Sequence, residues 1–205
     1  MIKTKPLTSK IVLVTADSQQ ELGRVFLRFQ EFYESPEWKD KIFTIGQIRS
    51  WYSEKYGANT YEKDWTGFNI PSCALKPFIQ GLFDPLTEEE QAFVNLFRYR
   101  TDDFYIIGSQ EGSGALDHEE CHALYYTNPR YRAQVLALLA EHKNVTKELY
   151  AWLSENMYHP SVHDDEVHAY MSADIEYIQE KGVGLPGKAQ ELHKALRALK
   201  RKYFK

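Results

Sequence analysis

The chain has 205 residues, of which 43% are hydrophobic and 14% aromatic, and this is enough to bury a sizeable core. Its net charge of -4 offers no general attraction for nucleic acid or for an anionic membrane, so partners of both kinds are excluded. No apolar run approaches the length of a signal-peptide core or a membrane span, and two widely spaced cysteines favour a reducing compartment. We expect a cytoplasmic protein and take it to be a monomer.

The N-terminal segment predicts one strand followed by two helices. Lys10–Thr15 (KIVLVT) has the aliphatic and β-branched content of a short buried strand. The apolar residues that follow recur at helical spacing, and Asp17 or Ser18 is positioned to cap that helix. A second helix is predicted over Phe43–Tyr56, because Gly57 is the residue type that most often follows a helix end.

The middle of the chain combines an irregular segment with a well-marked helix. Asn59–Pro85 has no clean period. Within it, Trp65–Ser72 (WTGFNIPS) fits either a packed covering loop, which we favour, or part of a binding cleft. Leu86–Phe97 is predicted to be helical, because Thr87 and Glu90 have the spacing of a capping box.

The most distinctive motif is H-E-x-x-H, which begins at His118. It follows a predicted strand, Phe104–Ser109, and a Gly/Ser-rich turn at residues 112–114. On a helix, His118 and His122 lie on one face and can hold one zinc ion, while Glu119 can reach a water bound to that ion. The order of strand, turn and metal helix therefore predicts a zinc site.

Helices also dominate the rest of the chain. Asn128 and Pro129 end the metal helix, and Ser161 is a plausible N-cap further on. The predicted helices span residues 130–142, 145–158, 161–180 and 189–203. The last one is basic, which fits either binding to an acidic surface or, as we favour, a solvated face.

These elements predict a helix-rich α+β protein with a small β-sheet. The whole chain, residues 1–205, is expected to form one domain. Its predicted parts are an N-terminal strand and helix part (1–100), a metal-site part (101–180) and a C-terminal basic helix (188–205).

A catalytic zinc needs a third protein ligand. Glu166 is the favoured choice, because it lies near the start of a capped helix and shares a face with Ala169 and Tyr170. His163 lies one turn earlier on almost the same face and stays open as a rival ligand. Glu120 and Cys121 are given no role at the metal. Glu120 falls on the side of the helix away from the histidines, and Cys121 is too close to the second histidine on the same turn to complete a tetrahedral site.

The two motifs together resemble the gluzincin type of zincin metallopeptidase, in which H-E-x-x-H is followed by a helical Glu-x-x-Ala, here beginning at Glu166. The resemblance implies a zincin-like fold with His118, His122 and Glu166 as zinc ligands and Glu119 as general base. It also implies that Phe104–Ser109 is the edge strand on which an extended substrate lies.

One feature departs from the thermolysin-type gluzincins. Their Asn-Glu-x-x-Ser-Asp signature has an outer aspartate four residues after the ligand, and this chain has Tyr170 at that position. The outer aspartate is therefore not where that subgroup has it.

The predicted function is that of a zinc metallopeptidase acting on a peptide or protein. Zinc lowers the pKa of its bound water to roughly 7, and Glu119 accepts the proton as water attacks the carbonyl. Tyr170 is the favoured donor to the oxyanion, with His163, His159 and Tyr125 as further candidates. The alternatives are a non-catalytic zincin-like binding protein and a zinc hydrolase of a small non-protein amide.

Overall fold

The structure is a computed structural model that describes residues 2–110, 112–156, 158 and 160–204. Its contacts divide the chain into two units, Met1–Leu116 and Asp117–Lys205. Every strand of the described residues lies in the first unit, and the second unit is mostly helical. The predicted helix-rich α+β class with a small sheet is confirmed.

A four-stranded mixed sheet lies in the first unit. Its strands are β1 (Lys3–Pro6), β2 (Ile11–Thr15), β3 (Gly67–Pro71) and β4 (Tyr105–Ser109), in the order β1-β2-β4-β3. β2 and β4 are parallel, while β1 and β3 pair antiparallel on the outer sides.

β4 is an interior strand, so the prediction that an edge strand precedes the metal helix is wrong. Its residues pair with β2 on one side and with β3 on the other. All five residues of β4 are buried, and a continuous apolar run of this kind is typical of a strand covered on both faces. Over residues 105–108, which pair on both sides, β4 therefore offers no free edge to an extended peptide.

β3 lies inside the segment that the sequence predicted to be irregular. Its terminal glycine and proline obscure the strand pattern, and Pro71 is tolerated because β3 is at the edge of the sheet. Phe68 and Ile70 are fully buried, which supports the packing interpretation of this segment. The flanking elements are α3 (Tyr61–Asp64), a 3₁₀ turn (Ser72–Leu75) and α4 (Lys76–Ile79).

Three longer helices complete the first unit. They are α1 (Gln19–Glu34), α2 (Ile45–Tyr56) and α5 (Glu88–Phe97). Ser18, rather than Asp17, caps α1 through its side chain, and the predicted capping box of Thr87 with Glu90 is confirmed. Gly57 ends α2 with a φ of 80°, a conformation that glycine adopts without strain.

The second unit is built around one helix. Its helices are α6 (Ala115–Thr127), α7 (Pro129–Glu141), α8 (Lys143–Glu155), α9 (His163–Ala173), α10 (Ile175–Glu180) and α11 (Ala189–Tyr203). α9 contacts α7, α8, α10 and α11. None of the described helices has the length and apolar character needed to cross a membrane.

The predicted helix over residues 161–180 has a different start and an internal break. Ser161 lies in a 3₁₀ turn, and α9 begins at His163 without a side-chain cap. Asp174 separates α9 from α10 with a non-helical backbone (φ -128°, ψ 38°). Aspartate tolerates such a break because its side chain competes with the helix for hydrogen bonds.

A buried ion pair joins α1 to α5 in the first unit. The Arg28 guanidinium donates to both carboxylate oxygens of Glu90, with Nε 2.6 Å from Oε1. It also donates to the Phe83 carbonyl at 2.9 Å, so its charge is well solvated by protein groups. Both side chains are at most 1% exposed, so removal of either partner leaves a buried charge without compensation.

We predict that Glu90→Gln lowers the free energy of unfolding by about 3–5 kcal/mol, because it removes the charge that balances Arg28. Glutamine preserves the volume and can still serve in the capping box with Thr87. The matched control is Glu89→Gln, which removes a half-exposed ion pair with Arg24 and should cost less than about 1 kcal/mol. Urea unfolding followed by circular dichroism measures both, and equal losses would contradict the prediction.

Candidate metal centre

The H-E-x-x-H motif lies on a helix, as predicted. His118 and His122 are one turn apart on α6, and their Nε2 atoms are 2.9 Å from each other. The His122 side chain is 4% exposed and that of His118 is 13% exposed. The two ring nitrogens therefore point to one place in a largely buried setting.

Helix α6 is held in the second unit by Lys200 of α11. The Lys200 ammonium donates to the Asp117 carbonyl at 2.7 Å and pairs with Glu120 at 2.9 Å. Arg197 pairs with the Asp117 carboxylate at 3.0 Å. Most basic residues of α11 are exposed, as favoured from the sequence, but Lys200 is buried against the acidic first turns of α6. Glu120 is thus engaged away from the histidine nitrogens.

Glu166 of α9 completes a group of three possible metal ligands. Its carboxylate oxygens lie 3.9 Å from His118 Nε2 and 3.8 Å from His122 Nε2. One ligand atom from each residue can be chosen so that all three lie within 4.8 Å of one another. Tetrahedral zinc at about 2.0–2.2 Å from each ligand requires ligand atoms about 3.3–3.6 Å apart. The structure thus brings together the three predicted ligands with spacings close to those of a zinc site.

The surroundings of the Glu166 carboxylate favour a nearby positive charge. The carboxylate is buried, and among the described residues no side chain or backbone group makes a hydrogen bond to it. Burial of a carboxylate without a hydrogen bond is costly unless a positive charge compensates it. The donor set therefore fits a metal ion: two imidazole nitrogens and one buried carboxylate that faces both of them.

Each histidine has a carboxylate behind it. Asp174 Oδ2 lies 2.6 Å from His118 Nδ1, and Asp165 Oδ2 lies 3.0 Å from His122 Nδ1. When a carboxylate accepts from Nδ1–H of a neutral imidazole, Nε2 is the nitrogen without a proton and can bind a metal. Both imidazoles are therefore oriented as metal-ligating histidines usually are.

Sequence reasoning missed both outer carboxylates. Asp165 stands directly before Glu166, and the two carboxylates face different nitrogens of His122. Asp174 was hidden because the helix was predicted to continue to Glu180. The one available signal was an aspartate inside a predicted helix, where it is a poor helix former.

The electrostatics of the group are dominated by burial and by carboxylates. Burial disfavours the charged form of His122, but Asp165 and Glu166 outweigh it and raise the pKa of His122 well above its ordinary value. Burial raises the pKa of Glu166, and the histidines only partly offset this effect. Burial also acts on Asp165, yet His122 and His168 lower the pKa of Asp165 to about 2.

Two of the predicted catalytic residues lie beside the ligands. Glu119 is 7% exposed, and its charge is close enough to raise the pKa of both His122 and Glu166. The Tyr170 ring lies edge-on to His118, with 4.9 Å between ring centroids. Its hydroxyl is 2.9 Å from the Tyr158 hydroxyl, and burial raises the Tyr170 pKa, so this phenol stays protonated near neutral pH.

His163 does not join the ligand cluster. As the first residue of α9 it turns away, and its Nε2 lies 3.0 Å from the Tyr158 carbonyl oxygen. The alternative in which His163 replaces Glu166 as third ligand is therefore not supported by the placement of its ring. His159, a further candidate oxyanion donor, lies outside the described residues.

Tyr125 and Cys121 also lie away from the converging nitrogens. The Tyr125 ring stacks on His168, with 5.7 Å between centroids and 24° between planes. Burial raises the Tyr125 pKa to about 12. Cys121 is a buried free thiol, as predicted, and donates to the Asp117 carbonyl at 3.3 Å. Burial raises its pKa to about 12, which disfavours the thiolate.

We predict that Asp174→Asn weakens the binding of a divalent metal ion by about 10- to 100-fold, because it removes the carboxylate that orients His118. Glu176→Gln is the matched control, since it removes an exposed carboxylate two residues further along and should leave metal affinity unchanged. Competition with a chromophoric chelator measures both affinities. Equal affinities for the Asp174 variant and wild type would refute the role of this contact.

Comparisons with known proteins assign this chain to no family. No protein-family model matches the chain, and searches of curated proteins and of solved structures found no match. The resemblance of the two motifs to the gluzincins stays a prediction. The contacts among this chain's own residues support a metal centre.

Proposed function

We propose that this protein is a zinc-dependent hydrolase of peptide or amide bonds. The observation that carries the proposal is the convergence of three donors: His118 Nε2, His122 Nε2 and the Glu166 carboxylate. Two nitrogens and one carboxylate oxygen are the donor set of a class of catalytic zinc sites, which leave one position open. The carboxylate behind each imidazole supports the same assignment.

The proposed chemistry divides between the metal and the side chains. Bound zinc would polarise a carbonyl oxygen and lower the pKa of water to about 7. Glu119 accepts a proton from the attacking water and then donates it to the leaving amine. The Tyr170 hydroxyl, next to His118 and protonated at neutral pH, donates a hydrogen bond to the oxygen on which negative charge develops.

Two substrate classes of different size remain candidates: a peptide and a small non-protein amide. A peptide laid along β4 is disfavoured, because both sides of that strand are already paired. The gluzincin resemblance implies an extended peptide on this strand. Because β4 has no free edge for such a peptide, a hydrolase of a small non-protein amide becomes a stronger candidate than the resemblance alone would make it. The zinc site and Glu119 would act on either substrate in the same way.

The setting of the activity is also a proposal. We propose a monomer in the cytoplasm, and the wide separation of Cys73 and Cys121 in the sequence supports a reducing compartment. A non-catalytic domain that binds zinc is the remaining alternative, and hydrolysis assays separate it from an enzyme.

We predict that Glu119→Gln lowers hydrolysis by about 100- to 10,000-fold while zinc binding persists, because only the proton acceptor is removed. The assay incubates zinc-reconstituted full-length protein with a peptide mixture and, separately, with small aryl amides. Mass spectrometry and released amine give the readouts.

Glu176→Gln is the matched control, since it removes an exposed carboxylate of α10 and should retain the activity. Identical product patterns from wild type and Glu119→Gln would contradict catalysis by this site. Zinc binding without any hydrolysis would favour the non-catalytic alternative.

A further inference from the structure

We propose that His168 is a positioning residue of the metal centre, which holds Asp165 in place behind His122. The inference rests on the proposed zinc site and extends it to a residue of α9 that lies two positions after Glu166. His168 would fix the orientation of a residue behind the ligands, and the three proposed ligands stay the same.

The contacts form a chain from the metal ligand into the core. Asp165 Oδ2 lies 3.0 Å from His122 Nδ1, and Asp165 Oδ1 lies 3.6 Å from His168 Nδ1. On the far side of the ring, His168 Nε2 lies 2.7 Å from the Tyr131 hydroxyl. His122, Asp165 with His168, and Tyr131 belong to α6, α9 and α7, so the chain joins three helices of the second unit.

His168 cannot turn easily in this setting. It is 0% exposed, and Tyr125 stacks on one face of its ring. The Tyr131 ring meets it edge-on with 5.4 Å between centroids. Tyr131 is itself placed by the cap of α7, where its backbone N–H donates to Asn128 Oδ1 at 3.1 Å. The imidazole is thus packed by two rings and tethered at Nε2.

Two unsatisfied atoms point to the role of this ring. Among the described residues, Asp165 Oδ1 and His168 Nδ1 are buried without a hydrogen-bond partner, and they face each other. Buried polar atoms nearly always have a hydrogen-bond partner. We therefore interpret this facing pair as a hydrogen bond whose two atoms lie slightly too far apart in the structure. If Tyr131 donates to Nε2, the proton of the neutral ring is on Nδ1 and points at Asp165. The carboxylate then accepts a hydrogen bond from each of two imidazoles, and rotation of the carboxylate would break one of these two bonds.

The test compares Co²⁺ titrations of the full chain for wild type, His168→Leu, His168→Asn and Tyr131→Phe. Leucine fills the space without a donor, whereas the asparagine amide can still donate to Asp165 from near the Nδ1 position. We expect His168→Leu to weaken Co²⁺ binding by about 10- to 100-fold and to alter the visible spectrum of the bound ion. His168→Asn should recover most of the affinity and the wild-type spectrum.

Unchanged affinity in His168→Leu, or equal losses in the leucine and asparagine variants, would overturn the proposal. If circular dichroism shows that His168→Leu does not fold, Tyr131→Phe decides, because it removes only the hydroxyl that tethers the ring. Weaker binding supports the proposal and wild-type binding overturns it. Failure of the wild-type chain to bind Co²⁺ would instead overturn the metal centre itself, and this result is visible before any variant is compared.

Discussion

Two carboxylate–imidazole contacts determine the direction in which the histidines of α6 face. Asp174 accepts a hydrogen bond from Nδ1 of one histidine and Asp165 from Nδ1 of the other, so both Nε2 atoms face Glu166. Without those contacts an imidazole can rotate, and two histidines one turn apart need not converge. The proposed zinc chemistry depends on this orientation more than on the H-E-x-x-H pattern itself.

The helices of the second unit supply these contacts together. α9 provides Asp165, Glu166 and His168, and the break that ends it presents Asp174 to His118. α11 holds the first turns of α6 through Lys200, which is buried between Asp117 and Glu120. Interactions between helices therefore hold the side chains of the proposed ligands in one orientation.

The features that the sequence predicted well are local. The capping box of Thr87, the glycine that ends α2, the helical H-E-x-x-H motif and the short buried strand at Lys10–Thr15 each depend on neighbouring residues. Glu166 was proposed because a catalytic zinc needs a third ligand, and the structure places it beside both histidines. The features that were missed are tertiary: strand pairing placed β4 inside the sheet, and the turn at Asp174 could not be read from a periodic pattern.

The central claim is that zinc is held by His118, His122 and Glu166. X-ray absorption at the zinc edge of the reconstituted full-length chain tests it most directly. The account predicts a site with two imidazole nitrogens and oxygen ligands at about 2.0–2.2 Å, and the loss of one imidazole signal in His118→Ala. Zinc bound through sulfur at about 2.3 Å, or through no histidine, would contradict it.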